Sequence, residues 1–205
     1  MPYLYTQAWH TSQHGLPLMR PMFWDEPEDQ DLWEIEDQFF LGDSLLVAPV
    51  LAPGAIERTV ILPPGAWHDF STGQQYNGPG KITLPVTLES IPVFIRAGSL
   101  LPMDEGKGLN LLIVLPGDGE VGFHYQDAGD GYGPWQLDRY LLAMGEGAAI
   151  LTREVTGHFP GAAHRLSLQP VGMKVVRAES AGRPLPAIDG RFEVAPFQEL
   201  TLFLE

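Results

Sequence analysis

Turn chemistry recurs too often along residues 44 to 96 for a long helix to fit there. Extended runs at 44–51, 57–62, 67–70, 81–86 and 91–96 are separated by Pro53-Gly54, Pro63-Pro64-Gly65, Thr72-Gly73 and Asn77-Gly78, the spacing of a β-sandwich or barrel. Gly and Pro, 23 and 19 of 205 residues, are scattered through the chain, so the punctuation is general. The polar stretch Asp104 to Gly108 reads as a boundary. A second β series follows it, at 109–115, 120–125, 137–143, 148–155, 164–169, 173–178, 191–194 and 199–204. With 44% hydrophobic residues the chain can bury a core in one or two domains.

The start of the chain differs. Pro2 suits a first helical position, Leu4, Tyr5, Ala8 and Trp9 share one face, and Gly15 and Pro17 supply a stop, which predicts a helix over 2–14. Leu16 to Phe23 is extended, but Pro21 cannot donate to a ladder and demotes the run to an edge strand or strand end. The acidic stretch 25–37 reads as a solvated loop or short polar helix. The apolar run Gln38 to Val50 must be buried.

Charge narrows the partners. Twelve Lys and Arg against 26 Asp and Glu give a net charge of −14, a field that repels phosphate backbones, so nucleic acid is not an expected partner. Ten of the acids and only Arg20 and Arg58 of the bases fall within residues 1–60. There is no cysteine, hence no disulfide scaffold, thiolate nucleophile or Cys-ligated zinc. No apolar run approaches a membrane span and no secretory leader is visible, so a cytoplasmic location without a membrane partner is expected.

Complete chemical sites are absent from the pattern. The acidic run lacks the spaced carboxylates and glycine of a calcium loop. His10 and His14 stand at i, i+4 without the glutamate of a zinc-protease helix. No G-x-S-x-G elbow occurs. No metal and no cofactor are expected. Tyr125 to Tyr132 places acids beside glycines, the composition of an Asx-rich turn. Trp67, Tyr76, Trp135 and Tyr140 could stack on sugar rings, with burial in the core as the commoner use of such residues.

Further information comes from ordered motifs: Tyr3-Leu4-Tyr5, Gly15 to Phe23 (GLPLMRPMF), Asp37 to Gly42 (DQFFLG), Leu45 to Val50 (LLVAPV), Leu62-Pro63-Pro64-Gly65, Trp67-His68-Asp69-Phe70, Thr72-Gly73 and Ile91 to Ser99 (IPVFIRAGS). In order and spacing they resemble the C-terminal third of glycoside hydrolase family 31, which contains α-glucosidases and α-xylosidases. The resemblance is dense over 2–103 and thins over 104–205, where Tyr125 to Gly131 is similar to a family turn but carries Ala128 in place of its second acid.

The resemblance implies a mainly β fold of two consecutive antiparallel β-sandwich domains, preceded by a helix-strand remnant of a (β/α)₈ barrel. Residues 1–43 would be the end of the barrel, 44–103 a proximal sandwich and 104–205 a distal one. A complete barrel takes about 250 residues, far more than this segment. Retention at a glycosidic bond takes two carboxyl groups about 5 to 5.5 Å apart, which the family carries on earlier barrel strands. Trp24-Asp25-Glu26, Gly42-Asp43 and Gly129-Asp130 imitate fragments of those motifs at the wrong places in the order. No catalytic residue is therefore expected, and the chain alone should be inactive. Phe23 and Trp24, after the eighth strand, would lie near a substrate rim. Arg96 would be structural, paired with an acid or capping carbonyls. The implied partners are the rest of a catalytic barrel or another copy of the chain, with α-glucosides as small molecules. A carbohydrate-binding sandwich and a structural or oligomer-forming element are the alternatives.

Overall fold

The computed structural model describes residues 2–104, 106, 108–129, 132–162 and 165–205. It is mainly β, with three sheets and one α-helix, α1 at Pro2–His14. Two compact units divide it, one formed by residues 15–97 and one by α1 together with residues 98–205. These cuts fall at 14/15 and 97/98.

The unit of residues 15–97 holds β1 (Met19–Arg20), β2 (Phe39–Leu41), β3 (Leu45–Val47), β4 (Glu57–Asp69), β5 (Gln75–Pro85) and β6 (Val93–Arg96). They make one antiparallel sheet in the order β1-β2-β3-β6-β4-β5. Phe40, Leu46, Val60, Leu62, Trp67 and Phe94 are buried in its core with Met22 and Leu32. Of the extended run at 16–23 only Met19–Arg20 is strand. It pairs antiparallel with β2, and Pro21 leads into a 3-10 turn at Met22–Trp24.

Pro63-Pro64-Gly65, expected as a turn, lies inside β4. The two prolines have no N–H for a ladder, so pairing with β5 skips from Leu62↔Gly80 to Gly65↔Gly78 and the strand carries on as a bulge. Pro63 keeps a use for its carbonyl, which accepts from the Trp67 indole N–H at 3.0 Å. Asn77-Gly78 is likewise inside β5. The true reversal lies at 70–74, where one Asp69 carboxylate oxygen accepts from the backbone N–H of Ser71 at 2.9 Å and of Thr72 at 2.8 Å.

The second unit contains β7 (Leu100–Asp104), β8 (Leu109–Val114), β9 (Gly119–Asp127), β10 (Trp135–Met144), β11 (Ala148–Gly157), β12 (Leu166–Val171), β13 (Val175–Ser180), β14 (Arg183–Pro184), β15 (Ala187–Ile188), β16 (Arg191–Val194) and β17 (Glu199–Leu204). One sheet runs β14-β13-β17-β11-β10-β9 and the other β15-β16-β12-β8-β7. Leu111, Ile113 and Leu168 from the second sheet share a core with Tyr140, Leu151 and Leu202 from the first, a two-layer sandwich. The second sheet is mixed, because β8 and β12 pair in parallel. The polar stretch after Met103 is not the boundary between units, since β7 on its near side pairs with β8. Pro102 is tolerated because β7 is an edge strand.

The helix occurs where the sequence predicts it, but its buried side chains are Tyr3, Thr6 and Gln7 instead of the Leu4, Tyr5, Ala8, Trp9 face. Its partner explains the change. The Thr6 hydroxyl accepts from the Tyr125 N–H of β9 at 3.0 Å, and Trp9 stacks on Tyr125 at 4.9 Å and 13°. Among the described residues no helix is long and apolar enough to cross a membrane.

Candidate functional site

In the unit of residues 15–97, a cavity of about 310 Å³ is lined by Arg20, Trp24, Asp25, Phe40, Asp43 and Arg96, with Gly42 between. β1 supplies Arg20, which is buried, and the turn after β2 supplies Asp43. The Arg20 guanidinium donates to Asp43 through one nitrogen and to the Pro17 carbonyl at 3.0 Å through Nε, and its carbon lies 5.4 Å from the Trp24 ring centre. Arg96, at the end of β6, donates to Asp25 and lies over two rings, 4.8 Å from the centre of Trp67 and 5.4 Å from that of Phe40.

Two of the motif-like aspartates, Asp25 and Asp43, thus line one cavity, a grouping that the sequence reading did not foresee. Asp25 and Asp43 are each tied to a guanidinium, an arrangement that fixes side chains and neutralises charge instead of supplying a proton donor and a free nucleophile. The signal that could have found the pairs was scarcity, since Arg20 and Arg96 are two of only twelve basic residues. Phe23 and Trp24 are 36% and 38% exposed. The acidic run is mostly solvated as expected, though Leu32 within it is buried and Asp37 pairs with Arg58 at 2.7 Å.

In the other unit, β9 and β10 form a hairpin whose turn end pairs Asp127 with Trp135. Asp127 Oδ1 accepts from the Tyr5 hydroxyl at 2.7 Å and from the Gly129 N–H at 3.0 Å, the expected Asx turn. Burial pushes its carboxyl up, but these bonds and one from Tyr125 outweigh that and hold it below the usual Asp value. Burial and the neighbouring carboxylate push the Tyr125 hydroxyl up to about 12, so it stays protonated. Tyr125 makes ring contacts with Trp9 and Trp135, the latter at 6.3 Å and 27°. Asp130 and Gly131, in the same turn, lie outside the described residues.

Of the four aromatics singled out as sugar platforms, Trp67 and Tyr140 are fully buried, Tyr76 is packed against Phe94, and Trp135 is 40% exposed. Inside the sandwich, Asp138 is 2% exposed and accepts from Arg153 at 2.8 Å and Gln136 at 2.8 Å, with His124 Nδ1 3.8 Å away. Among the described residues no three His, Asp or Glu side chains are grouped to hold a metal ion.

Residues 15–101 match the glycosyl hydrolase family 31 C-terminal domain. The chain is 39% identical over 111 residues to an α-xylosidase of Saccharolobus solfataricus, covering 54% of this chain and 15% of that protein. It is 31% identical over 209 residues to neutral α-glucosidase C of Mus musculus, covering 91% of this chain and 23% of that protein. Its structure superposes on a family 31 dextranase of Flavobacterium johnsoniae, solved with isomaltotriose, with a TM-score of 0.83 at 25% identity over 98% of this chain and 31% of that one. A family 31 α-xylosidase of Xanthomonas citri gives a TM-score of 0.74 at 27% identity, over 100% of this chain and 23% of that one. The chain thus spans less than a third of each of these proteins.

Proposed function

We propose that this chain, which belongs to glycoside hydrolase family 31 and corresponds to the C-terminal part of its enzymes, is a non-catalytic region that supports the catalytic barrel of a retaining α-glycosidase. The observation that carries this reading is proportion: nearly the whole chain matches, while it accounts for under a third of the matched enzymes. The tied aspartates agree with it, because a retaining site needs two carboxyl groups able to act as nucleophile and acid/base.

In this reading residues 1–43 complete the barrel with its last helix, its eighth strand and the following segment, and the β-structure that follows serves as its proximal and distal C-terminal domains. Phe23 and Trp24 sit at the substrate rim, where barrel enzymes build their sites. Arg96 holds the geometry behind them by binding Asp25, and the partner is the rest of the barrel. The purified chain should leave aryl α-glucosides and α-xylosides intact at the blank rate. An in-frame sequence upstream of the Met1 codon should hold two aspartate motifs. Hydrolysis that follows the 205-residue chain through gel filtration, or a stop codon directly upstream of Met1, overturns the proposal.

A further inference from the structure

We propose that the aromatic cradle at the turn end of the β9–β10 hairpin binds a neutral pyranose ring. The cavity there measures about 190 Å³ and, among the described residues, is lined by Tyr125, Trp135, Tyr132 and Asp127 together with Ala128, Gly129 and Gly133. Two large rings, Trp135 at 40% exposure and Tyr132, which is fully exposed, are held in water at a place where the core gains nothing from them.

The platform is rigid before any ligand arrives. Tyr125 is held by two ring contacts, stacked with Trp9 at 4.9 Å and more loosely with Trp135 at 6.3 Å. The six-membered ring of the Trp135 indole comes close to Gly157 in β11 through Cε3 and Cζ3. A Cβ there would meet ring atoms at 3.1 and 3.2 Å and the Trp135 carbonyl at 2.5 Å. Asp127 is oriented by Tyr5 and by the Gly129 N–H. Preorganisation of this kind removes the ordering cost from binding.

The chemistry selects the occupant. A pyranose has an apolar C–H face for an aromatic ring and a rim of vicinal hydroxyls, which a carboxylate with several acceptor sites and a tyrosine hydroxyl can bond. A phosphate or carboxylate ligand is disfavoured, because Asp127 is ionised and no Lys or Arg lines the cavity among the described residues. A bare apolar partner would strip the remaining water from the Asp127 carboxylate and offer no donor in its place. The inference is independent of the supporting role proposed above, and each can fail alone.

Calorimetric titration of the whole chain with maltotriose, and separately with methyl α-D-xylopyranoside, tests it. At least one should bind saturably in the millimolar range. Trp135→Ala should weaken that binding about tenfold, the scale of a lost stacking face. Tyr132→Ala, at a side chain the fold does not need, should weaken it several-fold. Trp33→Ala, an exposed indole in the other unit, should bind unchanged. Absence of saturable binding by both sugars, binding that survives both cradle substitutions, or equal weakening by Trp33→Ala overturns the proposal.

Discussion

The guanidinium carbon of Arg96 stands 4.8 Å from the ring centre of Trp67, a fully buried indole, while its outer nitrogen holds Asp25 across 71 residues of sequence. The ion pair is a third exposed on the arginine side and 40% exposed on the aspartate side, so water screens it and it contributes little alone. Stacking on Trp67 and Phe40 adds to it.

Arg96→Ala should therefore cost about 1.5 to 3 kcal/mol in the urea unfolding of the chain. Arg96→Lys should recover less than half, because a lysine keeps the charge but not the planar face. An unchanged denaturant midpoint for the alanine variant would show that Arg96 does not hold this part of the fold.

Gly78 faces Pro63 across the bulge, and a Cβ there would lie 1.9 Å from the Pro63 carbonyl oxygen, with Gly80 two residues on having 3.9 Å to its nearest neighbour. Gly78→Ala forces backbone to move and should destabilise by about 3 kcal/mol or more. Gly80→Ala should stay within about 1 kcal/mol of the wild type. Comparing the two melting curves checks the register directly.

Gln38 is 3% exposed and acts as a piece of strand: its amide nitrogen donates to the Ile61 carbonyl at 2.6 Å and its oxygen accepts from the Ile61 N–H at 2.9 Å. β6 covers β4 only at Trp67–Asp69, so the side chain fills a ladder position that no strand reaches. Gln38→Leu would leave both Ile61 groups unpaired at a cost of about 1 to 3 kcal/mol. It should also raise the aggregation rate by opening an edge. Light scattering during thermal unfolding measures the second effect.

Asp138 gives the pH dependence a sign. Burial pushes its carboxyl up, but His124, the charge and bond of Arg153, and the Gln136 bond together hold it below the ordinary value of 3.8. A folded-state pKa below the unfolded one means that its stabilisation is complete well above 3.8 and is lost as pH falls through the folded value. The unfolding midpoint should be flat from about pH 7 to 5 and fall below about pH 4. Asp138→Asn should reduce that acid dependence and cost about 3 to 5 kcal/mol at neutral pH, because buried Arg153 is left with no carboxylate.

Hairpins were legible in the sequence wherever alternation and turn residues agreed, as in β10 and β11, whose extents nearly match the expected runs at 137–143 and 148–155. Pro63-Pro64-Gly65 was misleading because a bulge and a reversal use the same residues, and only the partner strand decides between them. The helix face was misjudged for a related reason. Thr6 is buried by a hydrogen bond to Tyr125, and no periodicity in residues 2–14 reports a partner that far along the chain. The aromatics divided in a way composition cannot reveal: Tyr140 and Trp135 lie on the same strand, one on the core side and one at its exposed end.

The unit that holds α1 is discontinuous in sequence, since residues 15–97 intervene between the helix and the strands it packs on. The Thr6 hydroxyl meets the Tyr125 N–H across 119 residues. At translation rates of about 5 to 20 residues per second, the nascent helix waits roughly 6 to 24 s for β9 to be made, while the intervening sheet can already close on itself. Synthesis order thus leaves the helix exposed until strands made well after it emerge to cover it.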